Sequence, residues 1–259
     1  MALLQVKSCA IRFGGLQALN HFSFDLDTKE IAAIIGPNGA GKTTFFNLLT
    51  GVYEPTEGSL LFDGQALTGR KPYQISRLGI ARTFQNIRLF GDLTVVDNVL
   101  VAFHCHLESP LMASFTRGKK FLHEERSRLE SACDLLKIFG LFELRSEKAS
   151  SLSHGDQRRL EIVRALATQP RLLLLDEPAA GMNATEKNHL IELIRKIHRD
   201  YRLSILLIEH DMSVVMNLCP RILVLDYGEM IAEGTPEEIR KNPKVIEAYL
   251  GTEKKNVRN

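Results

Sequence analysis

A chain of 259 residues with 44% hydrophobic residues has the length for one large domain or two small ones, and the composition of a packed globular protein. Its 33 Lys and Arg stand against 31 Asp and Glu, a net charge of +2 with no long block of one sign, which argues against a nucleic-acid-binding surface. The longest apolar runs, such as residues 172–175, 205–208 and 99–103, fall far short of the roughly 18 residues that cross a bilayer, so the chain is read as soluble by itself.

Residues 1–7 lack the charged segment, apolar stretch and cleavage site of a secretory signal, which points to the cytosol. Cys9, Cys105, Cys133 and Cys219 show no CxxC spacing and are expected to be reduced thiols. His104, Cys105 and His106 look like a metal cluster. On the helix expected there, however, residues two apart face different ways, so they read as surface and packing.

In chain order, residues 22–26 alternate apolar and polar as a half-solvated antiparallel strand does. Residues 31–35 form a continuous apolar run, as in a buried parallel strand, and 59–62 suit another short strand closed by Asp63-Gly64. Strand signals fade from about 86 to 150, where helices are expected over 94–107 and 119–139, separated by a loop containing Pro110. The α/β alternation resumes with a strand over 171–176, a helix with Leu190, Ile194 and Ile197 on one face, and a strand over 204–209. Thr235-Pro236-Glu237-Glu238 is a capping box with proline at the first helical position and announces a last helix. Residues 252–259 are expected to be a disordered tail.

The strongest motif is Gly36-Pro37-Asn38-Gly39-Ala40-Gly41-Lys42-Thr43, a GxxxxGK[ST] segment directly after the 31–35 strand and before an apolar helix over 44–49. Glycines let the backbone bend round phosphates with its N–H groups inward, and the helix N-terminus adds partial positive charge. Lys42 is expected to reach the β- and γ-phosphates, and the Thr43 hydroxyl to ligate Mg²⁺. The apolar strand ending in Asp176-Glu177 supplies the other half of the site. Asp176 is expected to hold Mg²⁺ through its water shell, and Glu177 is placed to orient or deprotonate the attacking water.

A phosphate loop leaves GTPase, nucleotide kinase, helicase, repair ATPase and transporter motor open. No Asn-Lys-x-Asp segment that would read guanine is present. Leu152-Ser153-His154-Gly155-Asp156-Gln157, with a helix expected from Arg158, resembles the signature of the ABC ATPases; alone, such a segment is a helix-capping loop. It lies 20 residues before Glu177, and further marks follow the family's order: Gln85 in Arg82-Thr83-Phe84-Gln85 as the Q-loop, Ala180-Gly181-Met182-Asn183 at the D-loop position, and His210 as the switch histidine. Phe13, 23 residues ahead of Gly36, matches the aromatic that stacks on adenine.

The resemblance implies an α/β P-loop NTPase fold of the ABC nucleotide-binding type within residues 1–251. A RecA-like lobe with an antiparallel β-subdomain would span about 1–86 and 161–235, with an inserted helical lobe at about 87–160 and a C-terminal helical segment at 235–251. It implies nucleotide contacts from Phe13, Gly36, Asn38, Gly39, Ala40, Gly41, Lys42, Thr43, Thr44 and Gln85, and Mg²⁺ ligation by Thr43, Gln85 and Asp176. Glu177 and His210 would be catalytic. Ser153, His154, Gly155, Asp156 and Gln157 would meet the ATP of a second ATPase subunit, in a homodimer or, as the resemblance favours, a heterodimer.

Segments around Thr83, Asp176, His210, Val224 and Val245 are similar to the ATPase subunits of importers for branched-chain, or more broadly hydrophobic, amino acids. Urea-importer and lipopolysaccharide-exporter ATPases are near relatives. That likeness implies two transmembrane permease subunits, a periplasmic binding protein engaged through them, and a peripheral place on the cytoplasmic face of the inner membrane. A soluble ABC ATPase acting on nucleic acid or the ribosome is the alternative, and the chain lacks the basic stripe it would need. His154 and Asp156 depart from the common signature, and the D-loop position lacks the usual Ser-Ala-Leu-Asp.

Overall fold

A computed structural model describes residues 2–103, 105 and 119–250. His104, His106, the loop containing Pro110 and the tail at 252–259 lie outside the described residues.

Strands β1 (Ala2–Phe13), β2 (Leu16–Asp27), β4 (Glu57–Phe62) and β5 (Gln65–Ala66) form an antiparallel sheet in the order β2-β1-β4-β5. In β2 the expected alternation holds: Phe22, Phe24 and Leu26 are buried while Ser23 and Asp25 are exposed. The second sheet has the order β10-β9-β3-β8-β7-β6. Its members are β3 (Ile31–Ile35), β6 (Ile80–Arg82), β7 (Leu172–Asp176), β8 (Ser204–Ile208), β9 (Arg221–Asp226) and β10 (Glu229–Gly234). Pairing is parallel except between β9 and β10 at the edge.

Continuous apolar strands are explained by two cores on opposite faces of this second sheet. Leu172 and Leu174 enter one core, with Ala32, Ile34, Leu206 and the buried face of α1 (Lys42–Leu49). Leu173 and Leu175 enter the other, with α3 (Val95–Phe103), α4 (Lys119–Ile138), α5 (His154–Ala167) and α6 (Ala184–Tyr201). A strand covered on both sides has no reason to alternate. Phe45 of α1 packs edge-on against Phe22 of β2 with ring centroids 4.8 Å apart, joining the two sheets. Truncating such a ring to alanine costs about 3–5 kcal/mol.

The remaining helices are α2 (Pro72–Leu78), α7 (Met212–Leu218), α8 (Pro236–Lys241) and α9 (Pro243–Leu250). Among the described residues no helix is long and apolar enough to cross a membrane. Leu190, Ile194 and Ile197 share the buried face of α6 as expected.

Two expectations are corrected. The helix after Leu152 begins at His154, not Arg158, because Ser153 Oγ accepts from Asp156 N at 3.1 Å and caps it earlier. The last helix is two helices: the Thr235 capping box starts α8, and Pro243, which can open a helix but not continue one, starts α9.

Candidate active site

The turn leaving β3 is shaped by close backbone neighbours. Gly36 has φ 150°, and a Cβ there would lie 2.0 Å from Leu225 O of β9; Gly41 has φ 103°, and its Cβ would lie 2.5 Å from Ala18 O of β2. Neither position admits a side chain. Ala40 O accepts from Gly228 N at 3.0 Å, so the hairpin between β9 and β10 braces the loop from outside.

Lys42, 9% exposed, turns its ammonium back into this loop, donating to Gly36 O at 2.7 Å and Pro37 O at 2.8 Å. Burial pushes its pKa down, while Glu177 and then Asp176 pull it up. Asn38, Gly39 and Thr43 are exposed around it and Thr44 is half-buried. The first N–H groups of α1 have no carbonyl of their own turn to bond, so this end of the helix attracts anions.

At the end of β7, Asp176 is 2% exposed and pairs with Arg82 Nη2 at 2.7 Å. Burial raises its pKa, and the Arg82 guanidinium partly offsets this. Glu177 follows in the left-handed region (φ 49°), its N–H donating to Ile208 O at 2.8 Å, and this turn swings its carboxylate out of the sheet. Gln85 Nε2 donates to Glu177 Oε2 at 2.9 Å, and His210 Nδ1 lies 3.6 Å from the same oxygen. Three residues separated by up to 125 positions in the chain therefore meet at one atom.

Ser153 to Gln157 form the start of α5. Ser153 Oγ donates to Asp156 Oδ2 at 2.7 Å, Asp156 pairs with Arg159, and Gln157 Nε2 donates to Leu152 O at 3.1 Å. A Cβ at Gly181 would lie 3.4 Å from the His154 ring, so the two residues expected to depart from the family's pattern are neighbours. Among the described residues no hydrogen bond or ion pair joins 153–157 to 36–44. Phe13, at the end of β1, is 42% exposed and meets Tyr53 edge-on with centroids 5.0 Å apart.

Sequence reading missed several groups at this site. Glu209, 1% exposed, accepts from Ala179 N at 2.8 Å, His210 N at 3.1 Å and Asp211 N at 3.2 Å, fixing the backbone under His210. Arg82, Arg158 and Glu161 were likewise not singled out. The available signal was a charged side chain at the end of a fully apolar strand or among the apolar positions of a helix.

Among the described residues no group of three or more His, Cys, Asp and Glu forms a protein cage for a metal. The residues expected to hold Mg²⁺, Thr43, Asp176 and Gln85, would offer a hydroxyl, a buried carboxylate and an amide. That set suits Mg²⁺ completed by substrate phosphates and water.

A glycine-shaped loop between a buried parallel strand and a helix, facing a strand-end Asp-Glu pair, defines a P-loop nucleotide-binding cassette. The family described as ABC transporter matches residues 19–180, and the one described as branched-chain amino acid ATP-binding cassette transporter matches 229–255. The chain is 49% identical over 249 residues to the high-affinity branched-chain amino acid transport ATP-binding protein LivG of Escherichia coli, covering 96% of this chain and 98% of that one. It is 46% identical to the corresponding protein BraF of Pseudomonas aeruginosa over the same shares. Among solved structures, the ADP conformation of an ATP-binding cassette of an ABC transporter aligns with TM-score 0.84 and 32% identity, over 97% of this chain and 99% of that one. The chain belongs to the ATP-binding subunits of ABC transporters, and it is an ATPase whose hydrolysis is coupled to transport.

Proposed function

We propose that this chain powers an importer of branched-chain or other hydrophobic amino acids from the cytoplasmic face of the inner membrane. It works beside a second ATPase subunit, as a heterodimer rather than a homodimer, with two permease subunits and, through them, a periplasmic binding protein. Support for the cargo comes from the match of residues 229–255 and from the named relatives. Support for the chemistry comes from one observation, the meeting of Gln85 and His210 at Glu177 Oε2.

In this reading Phe13 stacks on the base, and residues 36–44 wrap the phosphates. Two protons of the Lys42 ammonium are held by loop carbonyls and the third is offered to a phosphate oxygen. Thr43, Asp176 and Gln85 would hold Mg²⁺, which supplies charge neutralisation on the phosphates. Glu177 Oε2 accepts a proton from water as its oxygen bonds to the γ-phosphorus; the bond to the bridging oxygen breaks, leaving ADP and phosphate. His210 and Gln85 keep that carboxylate aimed. Ser153 to Gln157 serve the nucleotide held by the opposite subunit, so a single chain has half of each site.

The same proposal divides the chain into a RecA-like lobe with its β-subdomain and a helical lobe inserted at about 87–160. Between them lies a cavity of about 660 Å³ lined by Pro72, Ile75, Arg88, Leu89, Phe90 and Val101, with Phe90 48% exposed. A cytoplasmic helix of a permease docks there. The test is uptake of labelled leucine, isoleucine and valine at low external concentration. Deletion removes it, and Glu177→Gln fails to restore it. Unchanged uptake of all three with loss of urea uptake, or an outer-membrane defect instead, overturns the cargo.

A further inference from the structure

Residues 84–88 have no secondary structure of their own, yet their backbone is held firmly by two side chains of α5. Arg158 Nη1 donates to Phe84 O at 2.8 Å, and Arg158 Nη2 donates to Gln85 O. From the other side, Glu161 Oε1 accepts from Phe84 N at 3.2 Å and Arg88 N at 3.4 Å. Arg158 Nη1 and Glu161 Oε2 close the clamp at 3.5 Å. Both residues are 5% exposed.

A buried ion pair is a costly way to fill a helix face, since apolar residues of similar volume often serve stability as well or better. Its position suggests a further role. Arg158 lies five positions beyond Ser153 on a helix whose first turn is the signature. An α-helix transmits a displacement along its axis without appreciable stretch over two turns. Gln85, whose backbone carbonyl is gripped by that helix, touches Glu177 Oε2 with its side chain. The path from Ser153 to Glu177 thus runs through one rigid helix, one clamp and one amide.

We infer that Arg158 and Glu161 are positioning residues for hydrolysis, making Gln85 move with the signature helix so that Glu177 is aimed only when the signature stands in its working place. The inference rests on the role proposed for Gln85 above and adds a mechanical cause to it. A bland alternative exists: the clamp satisfies loose backbone groups and stabilises the fold, with no effect on Gln85 beyond that.

The two accounts separate in the assembled transporter in lipid vesicles, by measuring kcat and ATP KM for Arg158→Gln, Glu161→Gln, Gln85→Ala and each double variant. If the clamp acts through Gln85, either single clamp variant lowers kcat by about 10- to 100-fold, as expected for a small misplacement of a reacting group. KM for ATP stays within about twofold. Adding Gln85→Ala then lowers kcat no further than Gln85→Ala does alone, because the path is already cut.

Effects that multiply in the double variants overturn the inference, as does a loss of thermal stability with kcat unchanged. Glu161→Gln keeps the shape and one acceptor, so it remains usable if Arg158→Gln does not fold. Failure of both to assemble counts for the structural alternative and overturns the inference as well. Unchanged kcat in Gln85→Ala alone would instead bring down the proposed reading of the site itself.

Discussion

The side-chain amide of Gln85 donates to Glu177 Oε2 at 2.9 Å, and so the carboxylate that faces the phosphate loop takes this hydrogen bond from a neutral amide. The amide fixes the direction of the Glu177 carboxylate, whereas Asp176 one residue earlier is paired with the Arg82 guanidinium. The expected outcome is a split between two variants. Glu177→Gln binds ATP with near wild-type affinity and loses turnover by about 10²- to 10⁴-fold. Lys42→Ala loses ground-state binding by about 1.5–3 kcal/mol, the worth of hydrogen bonds to a charged group. Equilibrium nucleotide binding with single-turnover hydrolysis separates them, and wild-type hydrolysis in Glu177→Gln contradicts its assignment.

The glycines of the phosphate loop make a graded series. At Gly36 a Cβ meets Leu225 O at 2.0 Å, whereas at Gly39 it meets nothing within 4 Å, although both have positive φ. Gly39→Ala is expected to cost about 1–2 kcal/mol for left-handed strain alone. Gly36→Ala must displace β9 or the loop and is expected to lower the melting temperature and abolish ATP binding together. Thermal unfolding with and without ATP checks both, and equal losses at the two positions would show that the close approach of β9 is not what matters.

What the sequence made legible was local. Residues 36–43 and Asp176-Glu177 are contiguous, and β3 and β7 announce themselves by length and apolarity. By contrast β1 was not expected, because it shifts register around Ser8, whose φ is 47°, and so shows no clean period of two. The short α2 and β6 carry too few residues for a period to register. Arg158 and Glu161 stand three apart on a helix, a spacing that carries no sign of burial in the sequence, and only the packing of a loop more than 70 residues earlier buries them. Glu209 hid for the same reason, since its three donors come from two separate turns.

Asp211 gives a pH-dependent test. Its carboxylate pairs with Lys187 of α6 and accepts from Ser213 N at 2.9 Å and Val214 N at 3.4 Å at the start of α7. Lys187 first, then Ser213, hold its pKa at about 2. A folded-state pKa below the unfolded value of about 3.9 stabilises the fold above that pH, and the contribution fades as pH falls toward 2. Asp211→Asn keeps a capping acceptor but drops the ion pair. It is expected to cost about 1 kcal/mol at pH 7, a deficit that shrinks between about pH 4 and 2. Urea unfolding across that range measures the gap; a gap independent of pH would remove Lys187 from the explanation.

Phe13 supports a prediction about which nucleotide is preferred. Its ring is 42% exposed at the end of β1 and is steadied edge-on by Tyr53, 5.0 Å away between centroids at 67°. An aromatic face attracts any purine, because stacking depends on the π-surface and not on the hydrogen-bonding edge that distinguishes adenine from guanine. ATP is therefore expected to bind less than about tenfold more tightly than GTP, a difference under about 1.4 kcal/mol. Phe13→Ala should weaken both nucleotides alike, by about 1–3 kcal/mol. Tyr53→Ala should weaken them by less, since it leaves the stacking face and removes only an edge contact of about 0.5–1.5 kcal/mol. Competition binding of ATP and GTP to the wild type and both variants decides the matter. Discrimination of a thousandfold would require a group that reads the base edge, and loss of ATP binding alone in Phe13→Ala would mean that the ring selects adenine rather than merely holding a purine.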